Sequence, residues 1–205
     1  MRKAARRTME KPVVKVGSRR RLLQHHARVS LDVNVMSRDG VRAPRALTLM
    51  CMAKVVRALS ANGSHKPFKN VAHGSSSNSK NSKSVPSFTL SSKALRQFSS
   101  AEEISVMFVS SREIRRLNRE FRGKDKATDI LSFAAVEDGS LGELVIALDV
   151  IRAQAGEHGL SLRDELTYML LHGVLHLLGY DHESSASGAR KMFAIQDGVF
   201  EMIRD

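Results

Sequence analysis

The chain has 205 residues, 42% hydrophobic and 26% charged, which suits one domain or two small ones and excludes wholesale disorder. Its formal net charge is +12, unevenly placed: residues 1–98 hold 21 basic and 3 acidic residues, residues 99–205 hold 12 and 18. The lone cysteine, Cys51, excludes a disulfide framework or a cysteine-based zinc finger, and no apolar run reaches the ~18 residues of a membrane span.

In chain order, residues 1–27 read as a basic extension, disordered unless bound, with Glu10 as its one acid and Arg19-Arg20-Arg21 as a cluster. No apolar stretch follows the four basic residues of Met1–Glu10, so a secretory signal is not expected. A half this basic is expected to attract polyanions through counterion release. Alternation from Val29 to Val35 predicts a half-buried strand, and Pro44 precedes a helical pattern over 47–59. Residues 61–98 read as a flexible insertion, because Gly74 to Ser84 are only Ser, Asn, Lys and Gly.

Order returns with a strand at Ile104–Val109, then a helix capped by Ser110 or Ser111 and running to Phe121. Two more strands are expected over 128–135 and 142–148, separated from that helix by the charged turn Arg122–Lys126. Asp149 is expected to cap a helix over 150–158 that Gly159 closes. Ser161 and Asp164 form a capping pattern that opens the helix over 162–178.

That last helix carries the chemistry. His172 and His176 lie four residues apart, so both imidazoles share one face, one turn apart. Gly179 follows, where the chain can reverse, and His182 returns a third imidazole. The unit H-x3-H-x2-G-x2-H has the layout of metzincin-type zinc sites, with three protein ligands and a fourth position open to water. Gly173 stands where a protease would carry its glutamate base, which argues against peptide hydrolysis. Glycine inside a helix costs about 1 kcal/mol relative to alanine, so another backbone is expected to approach there.

The segment His172-Gly173-Val174-Leu175-His176-Leu177-Leu178-Gly179-Tyr180-Asp181-His182 resembles the signature of the YbeY family of metal-dependent endoribonucleases, which mature ribosomal RNA. Asn118–Phe133 and Leu141–Ile146 are similar to two further blocks of that family, although Ala127 and Ala134 stand where many relatives have proline. The resemblance implies an α+β fold, a small mixed sheet flanked by helices, with the zinc-ligand helix lining a cleft. The domain would run over 28–205, interrupted at about 61–98. One Zn2+ per chain at His172, His176 and His182 is implied, with Arg122 as the functionally required arginine.

Beside a bound metal, a guanidinium suits phosphodiester cleavage, since it can grip a phosphate bidentately. Lys124 and Lys126 are candidate RNA contacts, and Ser132 and Asp181 are candidates to support the ligands, Asp181 by orienting an imidazole or closing the helix. The implied activity is single-strand-preferring endoribonuclease action in ribosomal RNA processing, 3′-end maturation of small-subunit RNA and ribosome quality control. The alternative is a non-catalytic ribosome-assembly factor with a structural metal. Expected partners are ribosomal RNA and ribosomal or assembly proteins, with no membrane. The expected location is the cytoplasm, or a mitochondrion or plastid should the source be eukaryotic.

Overall fold

A computed structural model describes residues 31–61 and 89–204. The elements, in chain order, are β1 (Asp32–Ser37), α1 (Arg45–Ala61), α2 (Ser92–Ser100), β2 (Glu103–Val109), α3 (Ser111–Arg122), β3 (Ile130–Ala134), β4 (Ser140–Ala147), α4 (Leu148–His158), α5 (Leu162–Leu177) and α6 (Ala186–Ile203). The sheet runs β1-β2-β4-β3, with β1, β2 and β4 parallel and the edge strand β3 antiparallel to β4. The expected α+β architecture is therefore the observed one.

Period-2 alternation splits the sheet into two apolar faces. Ile104, Val106, Phe108, Leu144 and Ile146 point into the main core with α1, α5 and α6, whereas Met107, Val109, Leu131, Val145 and Ala147 pack with Ile114 of α3. Strands buried on both faces explain the near-continuous apolar runs of β2 and β4. Leu166, Leu170 and Val174 keep α5 against the sheet at helical spacing.

Several expectations need correction. Among the described residues the first strand runs from Asp32 to Ser37, with Leu31 before it, and the expected start at Val29 lies outside them. The extension 1–27 also lies outside them, as do residues 62–88 of the expected insertion. Residues 92–98 of that insertion instead belong to a helix, α2: Ser91 caps it through Ala94 N–H, and Ala94 and Phe98, one turn apart, are buried. Asp149 does not cap α4. The cap position is Ala147, and Asp149 sits in the first turn, accepting a hydrogen bond from Ser111 Oγ. At Gly173 the nearest neighbours are side chains rather than the expected backbone: an added Cβ would lie 2.7 Å from Ile130 Cδ1 and 2.7 Å from Leu144 Cδ2, both on strands. Finally, α6 covers a stretch for which no element was expected. No helix among the described residues is long and apolar enough to cross a membrane.

Candidate metal centre

The site is built where α5 ends. Ser161 Oγ accepts from Asp164 N–H at 3.1 Å and starts the helix, as the capping pattern predicts. One turn apart near its other end, His172 and His176 project from one face, between buried residues that hold the helix to the sheet. The chain leaves the helix through Gly179, whose φ of +83° is left-handed and whose N–H donates to His176 O at 2.9 Å.

α2 pins this turn from outside. Gln97 Nε2 donates to the Leu177 carbonyl at 2.9 Å, and Ser91 N–H donates to Tyr180 Oη at 2.8 Å. Asp181 then accepts from the N–H groups of Glu183 (2.8 Å) and Ser184 (3.2 Å), so a tight turn carries His182 back over the helix end. These bonds hold the Asp181 carboxyl below its usual range. Each of its oxygens accepts a backbone N–H of the turn, so Asp181 shapes the loop that carries His182.

The three rings meet. Their centroids are 4.7 Å (His172–His176), 5.0 Å (His172–His182) and 5.1 Å (His176–His182) apart, and one nitrogen from each lies within 4.8 Å of the others. His172 Nδ1 donates to Gln196 Oε1 at 2.9 Å, and the Tyr180 backbone accepts from His176. Both Nε2 atoms then turn lone pairs towards each other across 3.1 Å. Two facing acceptors repel unless a cation lies between them, so the donor set fits a metal ion. Burial, with the neighbouring rings, lowers the pKa of His172 and pushes that of His176 down to about 4. Neutral imidazole is the form that ligates a metal.

Gln196, fully buried on α6, is the supporting residue that motif reading missed. Its signal was available in the helical spacing of Met192, Ile195 and Val199, which buries the same face of the helix. Glu183 was missed as well. It follows His182 and accepts from Arg122 Nη2, and from Lys124 Nζ at 3.2 Å, which holds its carboxyl down to about 2. Arg122 and Lys124 are thus brought to the residue beside His182.

Lys126 ends the same loop, and its carbonyl accepts from the buried Asn118 Nδ2 at 2.8 Å. Ser132 lies on β3 with its Oγ 3.4 Å from the Gly173 carbonyl, touching the helix between the two ligands rather than a ring. A cavity of about 280 Å³ is lined by Lys93, Leu178, Tyr180, Asp181, Gly188 and Lys191; neither the three rings nor any residue of α5 lines it, so it is not the cleft expected along the zinc-ligand helix.

The model of the family Endoribonuclease YbeY matches residues 70–204. The chain belongs to the YbeY endoribonuclease family. It is 50% identical over 111 residues to Endoribonuclease YbeY of Bdellovibrio bacteriovorus, covering 54% of this chain and 74% of that protein. The proteins of the same name from a Sulfurihydrogenibium species and from Persephonella marina are 46% and 47% identical. They cover 49% and 50% of this chain, and 70% and 71% of their own lengths. As a YbeY-family member the chain is an enzyme, a hydrolytic nuclease. The family match takes in α2 to α6, hence every residue of the site; β1 and α1 precede it, although β1 pairs in register with β2.

Proposed function

We propose that the chain is a zinc-dependent endoribonuclease that cuts single-stranded RNA, with one zinc per chain held by His172, His176 and His182. Its work is the 3′-end maturation of small-subunit ribosomal RNA and ribosome quality control in the cytoplasm, alongside ribosomal or assembly proteins. The observation that carries this reading is the convergence of three ligand nitrogens within 4.8 Å. Among the described residues no fourth His, Cys, Asp or Glu joins the group, and Cys51 is buried on α1. A structural zinc site is closed by a fourth protein ligand, so three donors favour catalysis over a purely structural metal.

Zinc at such an open site supplies a Lewis acid for a phosphoryl oxygen and makes water more acidic. The protein's own residues do the rest. Gln196 fixes the His172 ring and its tautomer. Arg122 and Lys124 hold the scissile phosphate, and the guanidinium offsets the charge that grows on its oxygens. Without substrate Glu183 occupies both cations, so an entering phosphate exchanges with a carboxylate and the two side chains stay oriented towards the site.

The test is metal analysis of the wild type and His176→Ala, paired with cleavage of single-stranded RNA and mapping of ribosomal RNA ends in depleted cells. The expected result is one zinc per wild-type chain, with metal, cleavage and mature ends all lost in the variant. A variant without metal that still cuts RNA at the wild-type rate overturns the reading.

A further inference from the structure

Among the described residues four large apolar side chains are exposed: Met50, Phe121, Val136 and Phe193. Of the two aromatic ones, Phe193 borders the metal centre directly, and Phe121 is linked to it in sequence through Arg122. Phe121 is 59% exposed and immediately precedes Arg122, whose guanidinium reaches Glu183 beside His182. Its ring meets Phe133 edge-on, with centroids 5.1 Å apart and planes at 75°, which braces it while more than half of the side chain stays in solvent. Phe193 is 38% exposed on α6, and its ring lies 5.3 Å from that of His182, tilted by 35°. By contrast Phe98, Phe108 and Phe200 are buried in the core.

Leaving a phenyl ring in water forgoes burial, and neither the edge-on contact with Phe133 nor the contact with His182 covers the open ring faces. An unpaired nucleobase is the occupant that fits. Bases of single-stranded nucleic acid stack on aromatic side chains whatever their sequence, while duplexed bases keep their faces covered. The phosphate chain needs cations alongside, and Arg122, Lys124 and Lys126 follow Phe121 within five residues. We propose that Phe121 and Phe193 are stacking platforms for unpaired bases, on the Arg122 side and the His182 side of the centre, and that they impose the single-strand requirement. The inference rests on the RNA substrate proposed above.

The native chain has no tryptophan, so Phe121→Trp reports on that position alone when the indole is excited selectively. Metal-loaded Phe121→Trp is mixed in a stopped-flow instrument with a short single-stranded oligoribonucleotide and, separately, with its duplex. The indole emission is expected to be quenched by the single strand before cleavage and unchanged by the duplex. In parallel, Phe121→Leu keeps an apolar contact to Phe133 without a stacking face. Its KM for single-stranded RNA is expected to rise about 5- to 100-fold with kcat nearly unchanged, and Phe121→Tyr is expected to restore it.

Wild-type KM in Phe121→Leu together with an unquenched indole overturns the stacking role while leaving the nuclease reading intact. A wild-type chain that neither binds nor cuts any RNA overturns both. Phe193→Leu, which touches a ligand ring, is read by zinc content as well. A raised KM at full zinc occupancy supports the second platform, and a KM that changes only as zinc is lost assigns Phe193 to the ligand instead.

Discussion

A ligand ring is only as well placed as the bond on its far side. His172 Nδ1 meets Oε1 of the fully buried Gln196 at 2.9 Å, so that bond selects the tautomer with Nε2 free for a cation. Loss of such a partner weakens metal binding by about 10- to 100-fold. Gln196→Ala is therefore expected to raise the zinc dissociation constant by that factor, measured by competition with a chelator, while the helices stay folded by circular dichroism. Unaltered affinity would show that the ring is held by packing alone.

The same burial makes the metal-free protein sensitive to acid. His176 has its pKa lowered to about 4 from the ordinary 6.5, chiefly by burial and then by the other rings. Between those values the unfolded chain takes up a proton that the folded site resists, so stability is full above pH 6.5 and is lost as the pH falls towards 4. His172 shifts in the same direction. Thermal melts of metal-free protein are expected to drop from pH 7 to pH 5, with a flatter profile in His176→Ala. An equal slope in both proteins would place the acid sensitivity elsewhere, for example in the carboxylates.

Elements whose residues repeat at period 2 or 3.6, with turn glycines and serine caps at their ends, could be read in the amino-acid order: β2, α3, β3, β4 and α5. The ligand trio was legible for a physical reason, since the spacing of His172, His176, Gly179 and His182 is itself the geometry of the site. What supports the trio was not. Glu183 follows His182, but its partners Arg122 and Lys124 lie far earlier in the chain, and the spacing of Met192, Ile195 and Val199 marks the buried face of α6 without showing that Gln196 on that face meets His172. α2 was hidden because its short Ala94–Phe98 repeat adjoins a serine-rich tract that reads as linker.

These two helices nonetheless set the loop. At Gly188, in the first turn of α6, an added Cβ would lie 2.5 Å from the Asp181 carbonyl oxygen, which is backbone and cannot rotate aside. Gly188→Ala gains about 1 kcal/mol of helix propensity but incurs an overpacking cost of about 1–3 kcal/mol, paid by shifting α6 from the His182 turn. The expected outcome is weaker zinc binding with a melting temperature little changed or slightly lowered. Full zinc affinity would mean that the turn moves together with the helix.

For the molecule as a whole, charge and chemistry are separated along the chain. The metal centre and its arginine belong to residues 99–205, which hold 18 acidic against 12 basic residues, while the basic excess lies before them. On this distribution, long-range attraction for the RNA chain is expected to rest mainly on residues before the metal centre, and close phosphate contact on Arg122 and Lys124. Residues 1–27 contain nine Lys/Arg and one acid, Glu10, so their deletion removes much of the long-range field and leaves the ligands untouched. For single strands each phosphate contact contributes about 0.7 to the slope of log affinity against log salt concentration.

The chain lacking residues 1–27 is expected to bind single-stranded RNA more weakly at low salt, with a slope shallower by several such contacts. Its zinc content and the ends of its cleavage products should match those of the full chain. Fluorescence anisotropy across a salt series, followed by end mapping, reads both quantities. An unchanged slope would confine RNA contact to the domain itself, in which case Arg122, Lys124 and Lys126 must carry it; displaced product ends would make the extension a selector of the cleavage site.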